Sequence, residues 1–236
     1  MACAHAFKTL GLDGTIVVPT NASQAKIDLI REKGGSIEQY GTDAAETEAY
    51  ARKLAQERKM VFISPYNDWD ILNGQGTIGV EILQDLPDVD AIFVSVGGGG
   101  LIAGIAKYCT AREKSPKIYG CQPSNSAVMM RSIEAGRILE MESWETLSDG
   151  TAGGIEQDAI TFELCRELVD EFVEVSEDEI IDAMRECIDT HHMMIEGSAG
   201  VALACAKKKY AELAGKNVCI VLCGANISRA TLKSIL

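Results

Sequence analysis

The stretch Asp90-Ala-Ile-Phe-Val-Ser-Val-Gly-Gly-Gly-Gly-Leu-Ile-Ala-Gly-Ile-Ala106 decides the fold prediction, because an apolar run stops at four consecutive glycines and resumes as a helix. Residues 91–96 are rich in β-branched and aromatic side chains, which is typical of a strand buried on both faces of a parallel sheet. Four glycines in a row favour a loop whose backbone approaches a ligand closely, since each loses much entropy in a strand or helix. Their amides, with the positive end of a helix starting at Leu101, predict a phosphate-binding loop. A plain strand-to-helix turn is the alternative, although one or two glycines would suffice for it.

Strands and helices alternate along the whole chain, which predicts an α/β fold with a parallel sheet and right-handed crossovers. Capping-box spacing in Asp43-Ala-Ala-Glu46 and Ser176-Glu-Asp-Glu179 marks two helix starts. The remaining predicted strands cover residues 15–19, 36–40, 61–64, 117–121, 172–175 and 218–223. Further helices are predicted at 1–10, 22–33, 70–86, 127–135, 159–169 and 197–213, and one after Ser228.

The composition describes a globular chain and excludes some partners. With 236 residues, 47% of them hydrophobic, the chain can form one large core or two lobes. A net charge of −13 argues against nucleic acid or an anionic membrane as the main partner, because both reward a basic surface. No apolar stretch approaches the roughly 20 residues of a membrane span. Eight cysteines without any Cys-x-x-Cys pair predict a reducing compartment, the cytoplasm.

Two nucleotide-binding motifs fit the glycines poorly. Gly98-x-Gly100-x-x-Ala103 matches the loose dinucleotide pattern, but that pattern belongs after the first strand and needs an acidic residue about 20 positions later. The next predicted strand is followed by Gln122, which offers no carboxylate. A Walker loop ends in Gly-Lys-Ser/Thr, and Leu101-Ile102 stands there instead. A cofactor with one phosphate and a flat apolar ring fits the loop better, and pyridoxal 5′-phosphate is the leading candidate.

Four motifs carry a resemblance to one family. Asn73-Gly-Gln-Gly-Thr-Ile-Gly-Val-Glu81, the block of residues 95–104, Glu196-Gly-Ser-Ala-Gly-Val-Ala-Leu-Ala204 and Leu222-Cys-Gly-Ala-Asn226 occur in this order. Together they resemble the pyridoxal-phosphate-dependent serine/threonine dehydratases and serine racemases over essentially the whole chain. The segment 146–154 and the run of residues 160–166 resemble the threonine-dehydratase branch. The resemblance implies a two-lobed fold-type-II enzyme, with residues 10–60 in the small lobe and residues 1–9 and 61–236 in the large, cofactor-binding lobe.

The resemblance also implies roles for individual residues. Those that would bind the cofactor phosphate are Gly97, Gly98, Gly99 and Gly100, with Leu101 opening the helix behind them. Cys223 would face the pyridine nitrogen, and a neutral partner there leaves that nitrogen largely unprotonated; a buried thiol without a role is the alternative. Glu196 would lie near the ring edge or be an exposed carboxylate at a helix start. Asp149 and Gly150 would line the substrate side.

Two features of the family pattern are missing from the sequence. Neither the Schiff-base lysine in its Ser-Phe-Lys-like setting nor a Ser-x-Gly-Asn-His-like loop is found, so the resemblance predicts a member without its first segment and a truncated small lobe. The lysine serves as covalent anchor and as base for the Cα proton, so its loss would remove the chemistry. Gln122 and Val128 stand where racemase-type relatives have acidic ligands, so no metal site is predicted.

The resemblance implies β-elimination of water from L-serine or L-threonine, which yields a 2-oxo acid and ammonia. Racemisation shares the first step of this reaction and stays open. A catalytically silent, truncated member that binds a partner or a metabolite is the alternative from another class. The family further implies a small amino-acid substrate and a homo-oligomer, a dimer in particular.

Overall fold

The computed structural model describes residues 1–236, apart from the side chain of Ala25. The chain divides by its internal contacts into unit 1, residues 1–63, and unit 2, residues 64–236. The predicted division placed residues 1–9 with the large lobe, whereas the structure groups them with unit 1. The physical reason is local packing, because the ring of Phe7 lies against the backbone of Gly14. The lobe assignment of these residues stays a prediction.

Unit 1 contains a two-stranded parallel sheet with three helices. Strand β1 (Thr15–Val18) pairs with β2 (Ser36–Gln39), so that Thr15 lies opposite Ser36. The helices are α1 (Ala2–Leu10), α2 (Gln24–Glu32) and α3 (Ala44–Arg58). Asp43 caps α3 by accepting a hydrogen bond from the Ala45 N–H at 2.9 Å, so this helix starts at the predicted place.

The strand predicted at residues 61–64 is wrong. These residues form no strand, and Val61 and Ile63 are 88% and 50% exposed. The apolar composition of the segment resembles a buried strand, but no neighbouring strand pairs with it among the described residues. The segment instead joins the two units.

Unit 2 is built on a four-stranded parallel sheet with the order β5-β4-β3-β6. The strands are β3 (Ala91–Ser95), β4 (Lys117–Pro123), β5 (Glu171–Val175) and β6 (Val218–Ile220). The helices are α4 (Trp69–Asp85), α5 (Gly100–Cys109), α6 (Val128–Ala135), α7 (Ile160–Leu168), α8 (Glu177–His191), α9 (Gly197–Lys208) and α10 (Arg229–Ile235). The predicted α/β fold with parallel sheets flanked by helices is confirmed. Strand β6 is three residues shorter than predicted, because the Val221 N–H makes the last bond to β3 and the chain then leaves the sheet.

Helices cover both faces of this sheet. Ile92 and Val94 of β3 point into one apolar core with α4, α5 and α7. Phe93, between them, points into the other core with α8 and α9. This alternation within one wholly buried strand is what a parallel sheet covered on both faces requires.

Helices α4 and α5 cross at backbone distance. A Cβ on Gly104 of α5 would lie 2.4 Å from the carbonyl oxygen of Leu72 and 2.9 Å from the amide nitrogen of Gly76, both on α4. Only hydrogen fits at this position. The crossing therefore holds α5, which follows the glycine loop, in one position against the core.

None of the helices in the described residues is both long and apolar enough to span a membrane.

Candidate functional site

The carboxyl ends of β3 and β6 form the edge of the sheet at which the predicted site residues gather. The Val96 N–H donates to the Cys121 carbonyl at 2.9 Å and so extends the ladder to the last residue before the glycines. The Val221 N–H donates to the Phe93 carbonyl at 3.0 Å, and residues 222–226 then leave the sheet beside β3. Ligands of parallel α/β sheets bind at this edge, outside the carboxyl ends of the strands.

The glycine loop, residues 97–100, turns directly from β3 into α5. Gly99 has φ +87°, a left-handed conformation that side chains disfavour. A Cβ on Gly98 would lie 2.3 Å from the ring of Tyr66, and one on Gly99 would lie 2.9 Å from the Cys165 Sγ. Gly98 and Gly99 therefore leave no room for a side chain on the face of the loop that packs against the protein.

The two faces of the loop differ in hydrogen bonding. On the inner face, the Thr161 hydroxyl donates to the Gly98 carbonyl at 2.6 Å, and the Ala103 N–H donates to the Gly99 carbonyl at 3.0 Å. The backbone N–H groups of residues 97–101 have no protein acceptor among the described residues. Consecutive free amides at a helix N-terminus form an anion site, to which the helix dipole adds positive potential. A phosphate group fits this arrangement.

Tyr66 and Asn67 support the loop from the start of unit 2. The Tyr66 hydroxyl accepts from the Glu156 N–H at 2.9 Å. The Asn67 amide donates to the Glu156 carboxylate at 2.7 Å and accepts from the Ile160 N–H at 2.9 Å. These bonds join the segment before α4 to the start of α7, so the ring of Tyr66 has a fixed place against Gly98.

Buried hydroxyls anchor the loop of residues 146–154. The Ser148 and Thr151 hydroxyls lie 2.6 Å apart, and Ser148 donates to the Ser198 hydroxyl at 3.3 Å. The Ser95 hydroxyl of β3 in turn donates to the Ser198 carbonyl at 2.5 Å. The backbone of Thr151 packs against the glycine loop, because a Cβ on Gly97 would lie 3.0 Å from the Thr151 Cα. The segment predicted to line a ligand thus contacts the first glycine of the loop.

Asp149 and Gly150 lie at the exposed tip of this loop. A Cβ on Gly150 would lie 2.8 Å from the Ser198 hydroxyl and 3.6 Å from the Glu196 Oε1. The structure therefore brings Gly150, one of the two predicted substrate-side residues, next to Glu196.

Glu196 connects the start of α9 to the segment after β6. Its N–H donates to the Gly224 carbonyl at 3.1 Å, and its carboxylate accepts from the Asn226 N–H at 2.9 Å. A Cβ on Gly224 would lie 2.5 Å from the carboxylate carbon, so the carboxylate rests directly on this glycine. The sequence predicts Glu196 either near the ring edge or as an exposed carboxylate. In the structure the carboxylate is half-buried and is held by the backbone of residues 224–226.

Cys223 lies at this edge with its residue surface exposed. Desolvation of the Sγ, and then the negative charge of Glu196, raise the pKa of the thiol to about 11. The thiol is therefore neutral at neutral pH and can donate or accept a weak hydrogen bond.

At position 122 an acidic residue would indicate a cation site, but the side chain there is the neutral amide of Gln122. Gln122 is 1% exposed, and its amide donates to the Val96 carbonyl at 3.0 Å and accepts from the Met130 N–H at 2.8 Å. Gln122 thus ties the end of β3 to α6. No group of three or more His, Cys, Asp or Glu side chains that could hold a metal occurs in the part of the chain that is described.

Sequence reasoning missed the residues that support the loop from behind. These are Tyr66, Thr161, Cys165, Ser148 and Ser198, all of them buried. A hydroxyl inside an apolar helical run, as at Thr161, is the signal that could have identified one of them, since a buried polar group needs a partner.

The family model described as "Pyridoxal-phosphate dependent enzyme" matches residues 1–224 of the chain. The L-threonine ammonia-lyase of Thermotoga maritima is 38% identical over 224 residues, which cover 95% of this chain and 55% of that protein. The structure of maize serine racemase superposes with a TM-score of 0.88 at 30% identity, covering 99% of this chain and 72% of that one. The processed form of threonine deaminase isoform 2 from Solanum lycopersicum gives a TM-score of 0.87 at 33% identity, covering 98% and 68%. The chain spans about half the length of the curated relatives it matches, from 37% to 55% for the first two.

Proposed function

Because the chain belongs to the family of pyridoxal-phosphate dependent enzymes, we propose that it binds pyridoxal 5′-phosphate and acts as a threonine/serine ammonia-lyase. The observation that carries the proposal is the row of free amides from Gly97 to Leu101 at the same sheet edge as Cys223. The names of the relatives support the reaction type. The product would be a 2-oxo acid, with release of ammonia.

The glycine loop would hold the phosphate. The amides of residues 97–101 would donate to its oxygens, and the first turn of α5 would contribute positive potential. An anion in this place needs no lysine or arginine, because several backbone N–H groups share its charge.

Cys223 would contact the pyridine nitrogen as a neutral group. Its raised pKa keeps the thiol protonated, so the ring nitrogen gains no proton from an acidic partner. When bound, the cofactor supplies an electron-withdrawing ring that stabilises negative charge at the substrate Cα. A neutral partner suits an elimination, because loss of the β-hydroxyl removes that charge.

Glu196 would hold the segment that carries Cys223. Its carboxylate accepts from Asn226 and lies on Gly224, so the position of the thiol depends on it. Asp149 and Gly150 would line the substrate side, at the exposed tip of the loop next to Glu196.

The contacts that assemble this site among the described residues involve no lysine. Lys107 lies over the ring of Trp69, and Lys117 is paired with Glu171 at 2.7 Å. The Schiff-base lysine therefore stays unassigned in this chain, and cofactor binding and turnover have to be tested separately.

Binding is tested by incubating the purified chain with pyridoxal 5′-phosphate, reducing with borohydride and locating adducts by peptide mass. One stoichiometric lysine would assign the Schiff base; a saturable complex without a specific adduct would leave binding by the glycine loop alone. The absence of any saturable binding contradicts the proposed cofactor.

Turnover is tested by ammonia and 2-oxo acid release from L-threonine and L-serine. Binding without release would identify the silent member considered above. Because maize serine racemase is also similar, chiral analysis of the remaining serine tests racemisation as the second candidate reaction.

We also propose a homo-oligomer, a dimer in particular, in the cytoplasm. The family resemblance supports the homo-oligomer, and light scattering tests it by measuring the molar mass in solution. The eight cysteines, all free, support a reducing compartment.

A further inference from the structure

The inner face of the glycine loop is held by two side chains of α7. The Thr161 hydroxyl donates to the Gly98 carbonyl at 2.6 Å, and the Cys165 Sγ lies 3.9 Å from the Gly99 carbonyl as a weak donor. Both side chains are fully buried, with 0% exposure. They are the α7 side chains that satisfy these carbonyls from inside the protein.

Peptide geometry connects these carbonyls to the amides on the other side. The Gly98 carbonyl and the Gly99 N–H belong to one planar trans peptide unit and point in opposite directions. A bond that fixes the carbonyl towards α7 therefore fixes the N–H away from α7. Since glycine has little steric preference of its own, the loop needs such an external constraint.

We infer that Thr161 is a positioning residue for phosphate binding, which acts by orienting the Gly99 N–H through the Gly98 carbonyl. This inference rests on the proposed function, because the phosphate is that of the proposed cofactor. Thr161 touches neither phosphate nor ring in this assignment.

The probe is pyridoxine 5′-phosphate, which carries the ring and phosphate of the cofactor but no aldehyde to react with surface lysines. Thr161→Val removes the donor with little change of shape. It is expected to weaken binding about tenfold, because the orientation of the loop that binds phosphate would then leave the buried Gly98 carbonyl without its hydrogen bond. Thr161→Ser keeps the hydroxyl and should bind within about threefold of the unchanged chain. The ³¹P chemical shift of the bound phosphate should move in the valine variant and stay in the serine variant.

Pyridoxine without phosphate is the matched control ligand, and its weak binding should be the same in all variants. Thermal unfolding checks that each variant is folded; if Thr161→Val is not, Thr161→Ala removes the donor without adding atoms and replaces it. If the donor-free and unchanged chains bind pyridoxine 5′-phosphate with equal affinity, the inference is overturned and the proposed cofactor still stands. A serine variant as weak as the donor-free one also overturns it, because packing and not the hydroxyl would then matter. If the unchanged chain does not bind pyridoxine 5′-phosphate, the proposed cofactor fails and the inference fails with it.

Discussion

Gly197→Ala tests the packing of the 146–154 loop against α9. A Cβ at this position would lie 1.9 Å from the Leu147 carbonyl oxygen, whereas ordinary contacts begin at 3.4 Å. The loop would have to retreat by about 1.5 Å, because backbone cannot rotate out of the way as a side chain can. That displacement breaks the bond from the Leu147 N–H to the Glu177 carboxylate, now 2.8 Å, and the bond from Ser148 to Ser198, now 3.3 Å.

The two lost bonds, one of them to a carboxylate, and the smaller gain from removing a glycine in the unfolded chain give a destabilisation of about 2–4 kcal/mol. For a chain of this size, this lowers the melting temperature by about 5–15 °C. Urea unfolding followed by circular dichroism measures the free energy directly.

Gly74→Ala is the matched control for this substitution. Gly74 lies inside α4, and a Cβ there meets nothing within 4 Å, so this variant should be about 0.5–1 kcal/mol more stable. A Gly197→Ala chain as stable as the unchanged one would refute the close contact between Leu147 and α9.

The glycine loop and Cys223 give three further expectations. Gly99→Ala places a side chain at φ +87° and 2.9 Å from the Cys165 Sγ. The loop has to shift to relieve strain of about 1–2 kcal/mol, and regaining the binding conformation at that cost should weaken pyridoxine 5′-phosphate binding about five- to thirtyfold. Gly136→Ala carries similar strain at φ +69° with no neighbour, and isothermal titration should find its affinity unchanged; equal losses in both variants would contradict a local role of the loop. The pKa of the Cys223 thiol is about 11 in the folded chain, against 9.0 in the unfolded chain. Its contribution to the free energy of unfolding is therefore fully present below pH 9 and is lost as the pH rises from 9 to 11. If Cys223→Ser has the same pH dependence of stability as the unchanged chain, the raised pKa of this thiol is contradicted. Glu196→Gln removes a nearby negative charge, so alkylation of Cys223 by iodoacetamide at pH 9 should become faster, and an unchanged rate would show that desolvation alone sets the pKa.

The layout of the fold was predictable because strong local signals coincide with tertiary structure. The buried run before the glycines, the capping box at Ser176 and the glycine stop after the first helix all appear at the predicted places. Residues 61–64 misled the prediction, because an apolar run reads the same whether or not a partner strand exists. Pairing is a long-range property, and a local window does not contain it.

The sequence indicates the candidate site where its proposed chemistry requires a residue type, and does not indicate the residues that only the folded geometry brings to it. Glycines before a helix indicate close backbone approach to an anion from sequence alone. By contrast, Thr161 and Ser198 look like ordinary helical residues until the fold places the Thr161 hydroxyl against the Gly98 carbonyl and the Ser198 hydroxyl against that of Ser148. Sixty-three residues separate Thr161 from the glycine it bonds, and no periodicity carries that information.

The crossing of α4 and α5 determines how the amides at the start of α5 meet a ligand. Because Gly104 lies against the backbone of α4, α5 cannot slide or tilt without a collision between main chains. The loss of motional freedom that an anion would otherwise impose on this helix has already occurred during folding. Association would then have little ordering cost left to overcome at these amides, so the affinity of the proposed phosphate site would depend on the tightness of a helix crossing that never contacts the phosphate.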